Sequence, residues 1–175
     1  MENCTLYRRQ TALVDANITW LRQALAIVQS TDDATFSTSP RSLEPYRVGS
    51  HLRHILEFYE CFLDGLVTLQ IDYDARKRDE AVENSRAAAT GKICSIIRRL
   101  ETTLSLRGDS IVGVPMEEYG YLTSSVGREL QVLSSHTIHH FALIAMTLRA
   151  HGVAVHADFG MAPSTLRHLA TKAAA

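Results

Sequence analysis

Apolar residues recur along most of the chain with the spacing of an α-helix. In segment 6–28 they follow one another at intervals of mostly three, four and seven residues, as on one face of an amphipathic helix. The same periodicity returns in segments 47–69, 81–108 and 126–150, none of which has an internal proline. Four long helices with hardly any strand predict an all-α fold built as a helix bundle.

The remaining segments break this periodicity. Segment 30–46 is rich in Ser, Thr, Asp and Pro, and both Pro40 and Pro45 discourage a continuous helix there. Segment 109–125 mixes β-branched and aromatic residues with glycine and proline, which predicts a short hairpin or an extended loop between the third and fourth helices. The tail after about residue 156 reads as a loop with a short terminal helix. No repeat or domain boundary is visible, so we expect a single domain over residues 1–175.

Composition narrows the classes of function. The 18 Lys and Arg nearly balance the 19 Asp and Glu, for a net charge of −1, so the chain lacks the basic surface on which nucleic-acid binding depends. The three cysteines are widely spaced and include no CxxC pair, which suits a reducing compartment. The N-terminus has no apolar leader and no segment is long and apolar enough to span a bilayer. We therefore predict a cytoplasmic protein with a small-molecule substrate, and no nucleic-acid or membrane partner.

The fourth helix carries an unusual group of histidines in the stretch "SSHTIHHFALIAMTLRAHG". His136 and His140 are four residues apart, so both lie near the centre of the inward face, one helical turn from each other. Both imidazoles can then point at one ion about 2.0–2.1 Å from each nitrogen. His139 lies about 60° to one side of His136 and makes a worse partner. An HxxxH pair alone is weak support for a metal site, because two core histidines can simply hydrogen-bond within a bundle.

A third ligand is available on the second helix, in "GSHLRHILEFY". His54 lies among apolar residues there, and His51 is one turn before it, so the residues alone leave both open. Glu57, one turn after His54, is the candidate catalytic residue, as a general base or as a group that orients a histidine. The competing interpretation is that Glu57 is an ordinary solvated carboxylate. Arg53 and the basic run 76–78 could meet an anionic substrate, although surface salt bridges are the commoner role of such residues.

The segments "RVGSHLRHILEFY" and, some eighty residues later, "HTIHH" resemble the DinB/YfiT-like superfamily of metal-dependent enzymes. The resemblance spans nearly the whole chain and includes the helix order. The stretches "IDYDARKRD" and "FGMAPSTLRH" are also similar to a DinB-like subgroup, but no role comes with them. The resemblance implies a four-helix bundle of the DinB/YfiT-like type. It also implies that one histidine of the second helix and the HxxxH pair of the last long helix hold a divalent metal. By position these residues are His54, His136 and His140; His51 and His139 remain as the neighbouring alternatives.

The same resemblance implies a class of chemistry. Three histidines leave coordination positions open, as in catalytic metal sites, and a metal there can activate a bound water or thiol as a nucleophile. We expect Zn²⁺ or Ni²⁺, with Fe²⁺ and Mn²⁺ as further candidates, because imidazole ligands suit several of these ions. Family members include transferases and isomerases that use a low-molecular-weight thiol, and many are homodimers. The predicted function is therefore a metal-dependent transferase, isomerase or hydrolase.

The main alternative is a non-catalytic helix bundle in which the metal, or a network of histidines, serves only folding or binding. Two other metal sites are excluded by their sequence patterns. The chain contains no Glu-x-x-His pair of the di-iron carboxylate bundles, and Thr137 stands where a zinc protease HExxH signature needs glutamate.

Overall fold

The computed structural model describes residues 2–102 and 108–173, with side chains from residue 11 onward. Within these residues the protein is mainly helical, with seven α-helices and one small two-stranded sheet. None of the helices in this part of the chain is long and apolar enough to cross a lipid bilayer. The elements follow in the order α1 (Glu2–Ser30), α2 (Asp33–Ser37), α3 (Val48–Gly65), α4 (Glu80–Asn84), α5 (Arg86–Thr102), β1 (Ile111–Met116), β2 (Gly120–Ser125), α6 (Val126–Ala150) and α7 (Pro163–Ala173).

The four long helices pack against one another around one apolar core. α1 and α3 each contact both α5 and α6. The apolar stripe of α3 faces inward, and its largest side chains are at most 1% exposed. Removal of such side chains from water is the main force that holds amphipathic helices together. The fully buried side chains of this stripe are Leu52, Ile55, Leu56, Tyr59 and Phe62.

The observed helix ends differ from the sequence-based prediction at two places. α3 ends at Gly65 rather than near Leu69, since the chain turns back so closely that a Cβ on Gly65 would lie 2.4 Å from the carbonyl oxygen of Gln70. The third predicted helix is divided into α4 and α5 by Ser85, which has extended backbone angles. The Ser85 hydroxyl accepts a hydrogen bond from Ala88 N at 3.3 Å, as an N-cap residue does. The prediction for residues 103–107 lies outside the described residues.

The connections are more ordered than the sequence suggested. The loop after α1 contains α2, which is capped by Asp32 and buries Phe36, and a 3₁₀ turn at Arg41–Leu43. The segment before α6, predicted as a short hairpin or an extended loop, is a hairpin, with β1 and β2 antiparallel and Ile111 paired with Ser125. It is bonded to the connection after α3, because Gly113 exchanges two backbone hydrogen bonds of 2.8 Å with Leu69 O and Ile71 N. The predicted fourth helix has the observed bounds of α6, and the tail forms α7.

A polar cluster lies in the core where α1, α3 and α6 meet. Asn17, Tyr59 and Thr137 are at most 1% exposed. The Tyr59 hydroxyl lies 2.7 Å from Asn17 Oδ1 and 3.2 Å from Thr137 Oγ1, while Asn17 Nδ2 donates to the carbonyl oxygens of Leu13 and Leu130. Each buried group therefore has a partner, as the cost of an unsatisfied buried polar group requires. We call these three residues the Asn17 network.

The single tryptophan joins α1 to α6 beside this core. Trp20 Nε1 donates to Ser134 Oγ at 2.9 Å, and the indole meets the Phe141 ring edge-on at a centroid separation of 6.4 Å. Its two partners flank the histidines of α6 in sequence.

Candidate metal centre

The packing of α3 against α6 brings His54, His136 and His140 together. One possible ligand atom from each residue can be chosen so that all three lie within 4.8 Å of one another. The three imidazole rings are 4.6–4.8 Å apart between centroids and are steeply inclined to each other. We call this group the histidine triad. Two of its members come from one helical face, as the HxxxH spacing predicts, and the third is supplied by the neighbouring helix.

The spacing of nitrogens in the triad is compatible with a single ion. His54 Nε2 and His136 Nε2 are 3.1 Å apart. Two imidazole nitrogens bound tetrahedrally at about 2.0–2.1 Å from one ion are separated by about 3.3 Å. All three ligand atoms lie within 4.8 Å of one another, which brings the third imidazole near the same position.

The two alternative histidines occupy different positions. His51 Nδ1 lies 3.1 Å from His140 Nδ1, but His51 is not among the three residues whose ligand atoms come together. His51 is 8% exposed and stacks against the Tyr46 ring. His139 is exposed and touches only the edge of the triad through His140. A histidine that binds a metal through one ring nitrogen usually has a hydrogen-bond partner on the other, and this partner fixes the orientation of the ring. His51 is placed to be that partner for His140.

Burial keeps the triad in the uncharged form that metal binding needs. Desolvation lowers the pKa of His54 to about 4, with the positive charge of Arg76 as the next cause. Desolvation followed by the proximity of His54 lowers the pKa of His136 to about 4, and desolvation followed by His136 lowers the pKa of His140 to about 3. At neutral pH the three imidazoles are therefore uncharged, and each has one ring nitrogen whose lone pair can accept a hydrogen bond or bind a metal.

Arg76 reaches the triad from the connection between α3 and α4. Its Nη1 donates to His54 Nδ1 at 2.9 Å, and the guanidinium carbon lies 5.2 Å from the centre of the Phe58 ring. Phe58 stacks in turn on His136, at 4.0 Å between centroids, and on Tyr73, at 5.0 Å. The sequence alone places Arg76 in a basic run and gives Tyr73 no role. The only signal for either residue is the segment "IDYDARKRD", whose resemblance to a DinB-like subgroup carries no role.

Three buried nitrogens in this region have no hydrogen-bond partner. They are His51 Nε2, Arg76 Nε and His136 Nδ1. Among the side chains that the structure describes, no other buried nitrogen or oxygen lacks a partner. Buried polar atoms are normally satisfied, and exceptions concentrate at sites that bind something. The donor set of three neutral imidazoles fits a bound divalent metal, whereas Arg76 Nε is an N–H donor and needs an acceptor instead.

The carboxylates near the triad are engaged elsewhere. Glu57 is 3% exposed, so its interpretation as a solvated carboxylate is wrong. Its oxygens accept from Arg53 at 3.2 Å and from Asp79 N at 2.8 Å, and Arg53 also binds Glu83. No hydrogen bond joins Glu57 to a histidine in the described residues. Its catalytic role remains a prediction, and the observed contacts are those of an anchor for the connection that carries Arg76.

Glu129 is also buried, at 5% exposed. It accepts hydrogen bonds from Tyr73 Oη at 2.9 Å and Ser124 Oγ at 2.5 Å. Burial, and then the charge of Glu129, raise the pKa of Tyr73, so this phenol stays protonated and donates. Glu129 thus holds Tyr73 beside Phe58, at the wall of the triad.

No protein-family model matches the chain. A protein of Rhizopus delemar named FK506-binding protein 5 is 36% identical to it over 106 residues, which cover 57% of this chain and 27% of that protein. The chain therefore spans about a quarter of the length of this relative, and the name of the whole protein does not assign a function to the shared segment.

Proposed function

We propose that this protein is a metal-dependent enzyme of the DinB/YfiT-like superfamily, folded as that family's four-helix bundle. In the proposal His54, His136 and His140 hold one divalent metal, Zn²⁺ or Ni²⁺ ahead of Fe²⁺ and Mn²⁺. The observation that carries the proposal is the triad itself: three uncharged imidazoles from two helices with their ligand atoms within 4.8 Å of one another. The similarity of "RVGSHLRHILEFY" and "HTIHH" to the family supports the same assignment.

A three-histidine site leaves coordination positions open to water, a thiol or a substrate. A divalent metal there supplies Lewis acidity and brings the pKa of a bound water or thiol toward neutrality. The chain contributes the orientation of the ligands: His51 Nδ1 lies 3.1 Å from His140 Nδ1, and Phe58 stacks on the His136 ring. The proposed reaction is transfer, isomerisation or hydrolysis of a small molecule by the activated nucleophile, with a low-molecular-weight thiol as a candidate cosubstrate.

Elemental analysis of tag-free protein tests the metal site. We expect about one divalent metal per chain in the wild type and none in His54→Ala, His136→Ala or His140→Ala, since each substitution removes one of three ligands. His139→Ala is the matched control, because it removes an exposed imidazole next to a ligand and should keep the metal. A folded wild type that takes up neither Zn²⁺ nor Ni²⁺ contradicts the proposal.

A spectroscopic test distinguishes an enzyme from a purely structural site. With Co²⁺ in place of the native metal, an open coordination position allows 2-mercaptoethanol to bind and to add a thiolate-to-metal charge-transfer band. A closed structural site gives no such band. Absence of the charge-transfer band in a metal-loaded protein would favour the non-catalytic helix bundle. Size measurement in solution tests the homodimer that the family resemblance implies.

A further inference from the structure

Arg76 differs from the other partly buried arginines in having no acidic partner. Arg47 and Arg53 both bind Glu83, and Arg86 binds Asp33. In the described part of the chain no carboxylate lies within salt-bridge distance of Arg76; its polar contact is with the neutral His54, and its Nε is buried without a partner. A guanidinium held away from water normally pairs with a carboxylate or phosphate.

The position of Arg76 is fixed by the loop around it. Asp72 Oδ1 accepts hydrogen bonds from Asp74 N and Ala75 N, which makes a tight turn just before the arginine. Tyr73 is held by Glu129 on one side, and the backbone N–H of Asp79 is held by Glu57 on the other. The loop is thus tied to α3 and α6 on both sides of Arg76, and the side chain points into the triad rather than into solvent.

The Arg76–His54 hydrogen bond cannot persist when the triad holds a metal. His54 Nε2 faces His136, so it is the nitrogen that reaches the ion, while Nδ1 faces Arg76. A neutral imidazole that binds a metal through Nε2 carries its proton on Nδ1. Arg76 is also only a donor, so two donors would then face each other. An oxyanion between them would accept from both and would also satisfy the buried Nε.

We infer that Arg76 is the residue that recognises an anionic substrate or cosubstrate, and that the recognised group is a carboxylate or a phosphate lying beside the metal. This inference rests on the proposed function. Binding of an anion explains why Arg76, which has no acidic partner, is held over the Phe58 ring beside the proposed metal ligand His54. A metal bound through His54 Nε2 would put the imidazole proton on Nδ1 and so leave the guanidinium available to the anion.

Anion titration of the Co²⁺-loaded protein tests this role. The visible absorption bands of Co²⁺ are followed while acetate or inorganic phosphate is added to the wild type, Arg76→Gln, Arg76→Lys and Arg78→Gln. A lost charge-assisted hydrogen bond should raise the dissociation constant in Arg76→Gln by about tenfold to a hundredfold. Arg76→Lys, which keeps the charge without the planar fork, should give a smaller increase. Arg78→Gln is the matched control, because it removes an exposed arginine two residues away.

Imidazole, a neutral ligand of the metal, should bind all four proteins within about twofold, since its affinity does not depend on a guanidinium. A larger effect for acetate than for phosphate would identify the group as a carboxylate, and the reverse would identify a phosphate. Equal anion affinities in the wild type and Arg76→Gln, or equal weakening in Arg78→Gln, would overturn the inference while leaving the metal site intact. A wild type that shows no Co²⁺ bands would overturn the proposed function, and this inference with it.

Discussion

Two polar clusters contain residues of both α3 and α6, and they are built in opposite ways. In the Asn17 network the Tyr59, Asn17 and Thr137 side chains all have hydrogen-bond partners. Around the histidine triad, three buried nitrogens have none, and two pairs of imidazoles face each other at 3.1 Å between nitrogens. The same helices thus carry one cluster that is complete in itself and one that is incomplete.

Whether its buried polar groups have hydrogen-bond partners distinguishes a structural polar cluster from a binding site. A buried network whose groups are all satisfied stabilises one packing arrangement and gains nothing from a ligand. A buried cluster with free lone pairs and unpartnered donors costs stability until something binds to it. We therefore expect substitutions in the Asn17 network to lower the free energy of unfolding, and added metal to raise it through the triad.

The largest expected effect is the response of the triad to metal. Zn²⁺ at a thousandfold excess over its dissociation constant should raise the free energy of unfolding of the wild type by about 4 kcal/mol. Urea unfolding with and without Zn²⁺ measures this gain. His54→Ala should show no gain under the same conditions, whereas His139→Ala should behave as the wild type. An equal gain in His54→Ala would mean that Zn²⁺ binds somewhere else.

The Asn17 network should respond only to substitution. Asn17→Ala leaves the Tyr59 hydroxyl short of a partner and the Leu130 carbonyl oxygen without its side-chain donor, so the free energy of unfolding should fall by about 2–4 kcal/mol. Urea unfolding of the metal-free protein checks this value. Metal stoichiometry at a temperature where the variant is folded should remain that of the wild type. A stable variant that loses metal would reverse the roles assigned to the two clusters.

Acid should weaken the metal-free protein through the triad. The folded-state pKa values of about 3 to 4 lie below the unfolded value of about 6.5, so the unfolded chain binds more protons in that interval. The free energy of unfolding therefore falls as the pH drops from about 6.5 toward 4. The loss should reach about 2 kcal/mol between pH 7 and pH 5, after allowance for partial solvent exposure. Thermal unfolding across this range measures it, and His140→Phe should show a shallower pH dependence.

The smallest expected effect concerns His51. His51→Phe removes the hydrogen-bond partner of His140 Nδ1 but leaves the triad, so the metal should stay at one per chain with about tenfold lower affinity. Competition with a chromophoric chelator measures the affinity. Complete loss of metal in this variant would make His51 a ligand rather than an orienting residue.

The sequence carries the local part of this arrangement. Helical periodicity alone placed α6, and the four-residue spacing placed His136 and His140 on one face, because both features depend only on the geometry of a helix. The choice between His51 and His54 rested on a family resemblance. The observed contacts separate the two, since the rotation of α3 against α6 decides which imidazole meets the others.

The features that the sequence did not predict depend mostly on contacts between distant segments. Arg76 stands in a polar connection whose composition is typical of a solvated loop, and its burial follows from the Tyr73–Glu129 and Asp79–Glu57 hydrogen bonds. Glu57 is buried for the same reason, since its partners are an arginine on its own helix and a backbone N–H from that loop. The division of the third helix at Ser85 was missed because helical periodicity continues across the break.

Trp20 gives this protein an optical reporter of its own. The chain has one tryptophan, so its emission comes from a single place, and that indole bonds to Ser134 and touches Phe141 on the helix that supplies two of the three histidines. Any rotation of α6 that draws the imidazoles together alters the surroundings of that indole. Occupancy of the centre can then be followed by fluorescence in unlabelled protein, even with a colourless ion such as Zn²⁺.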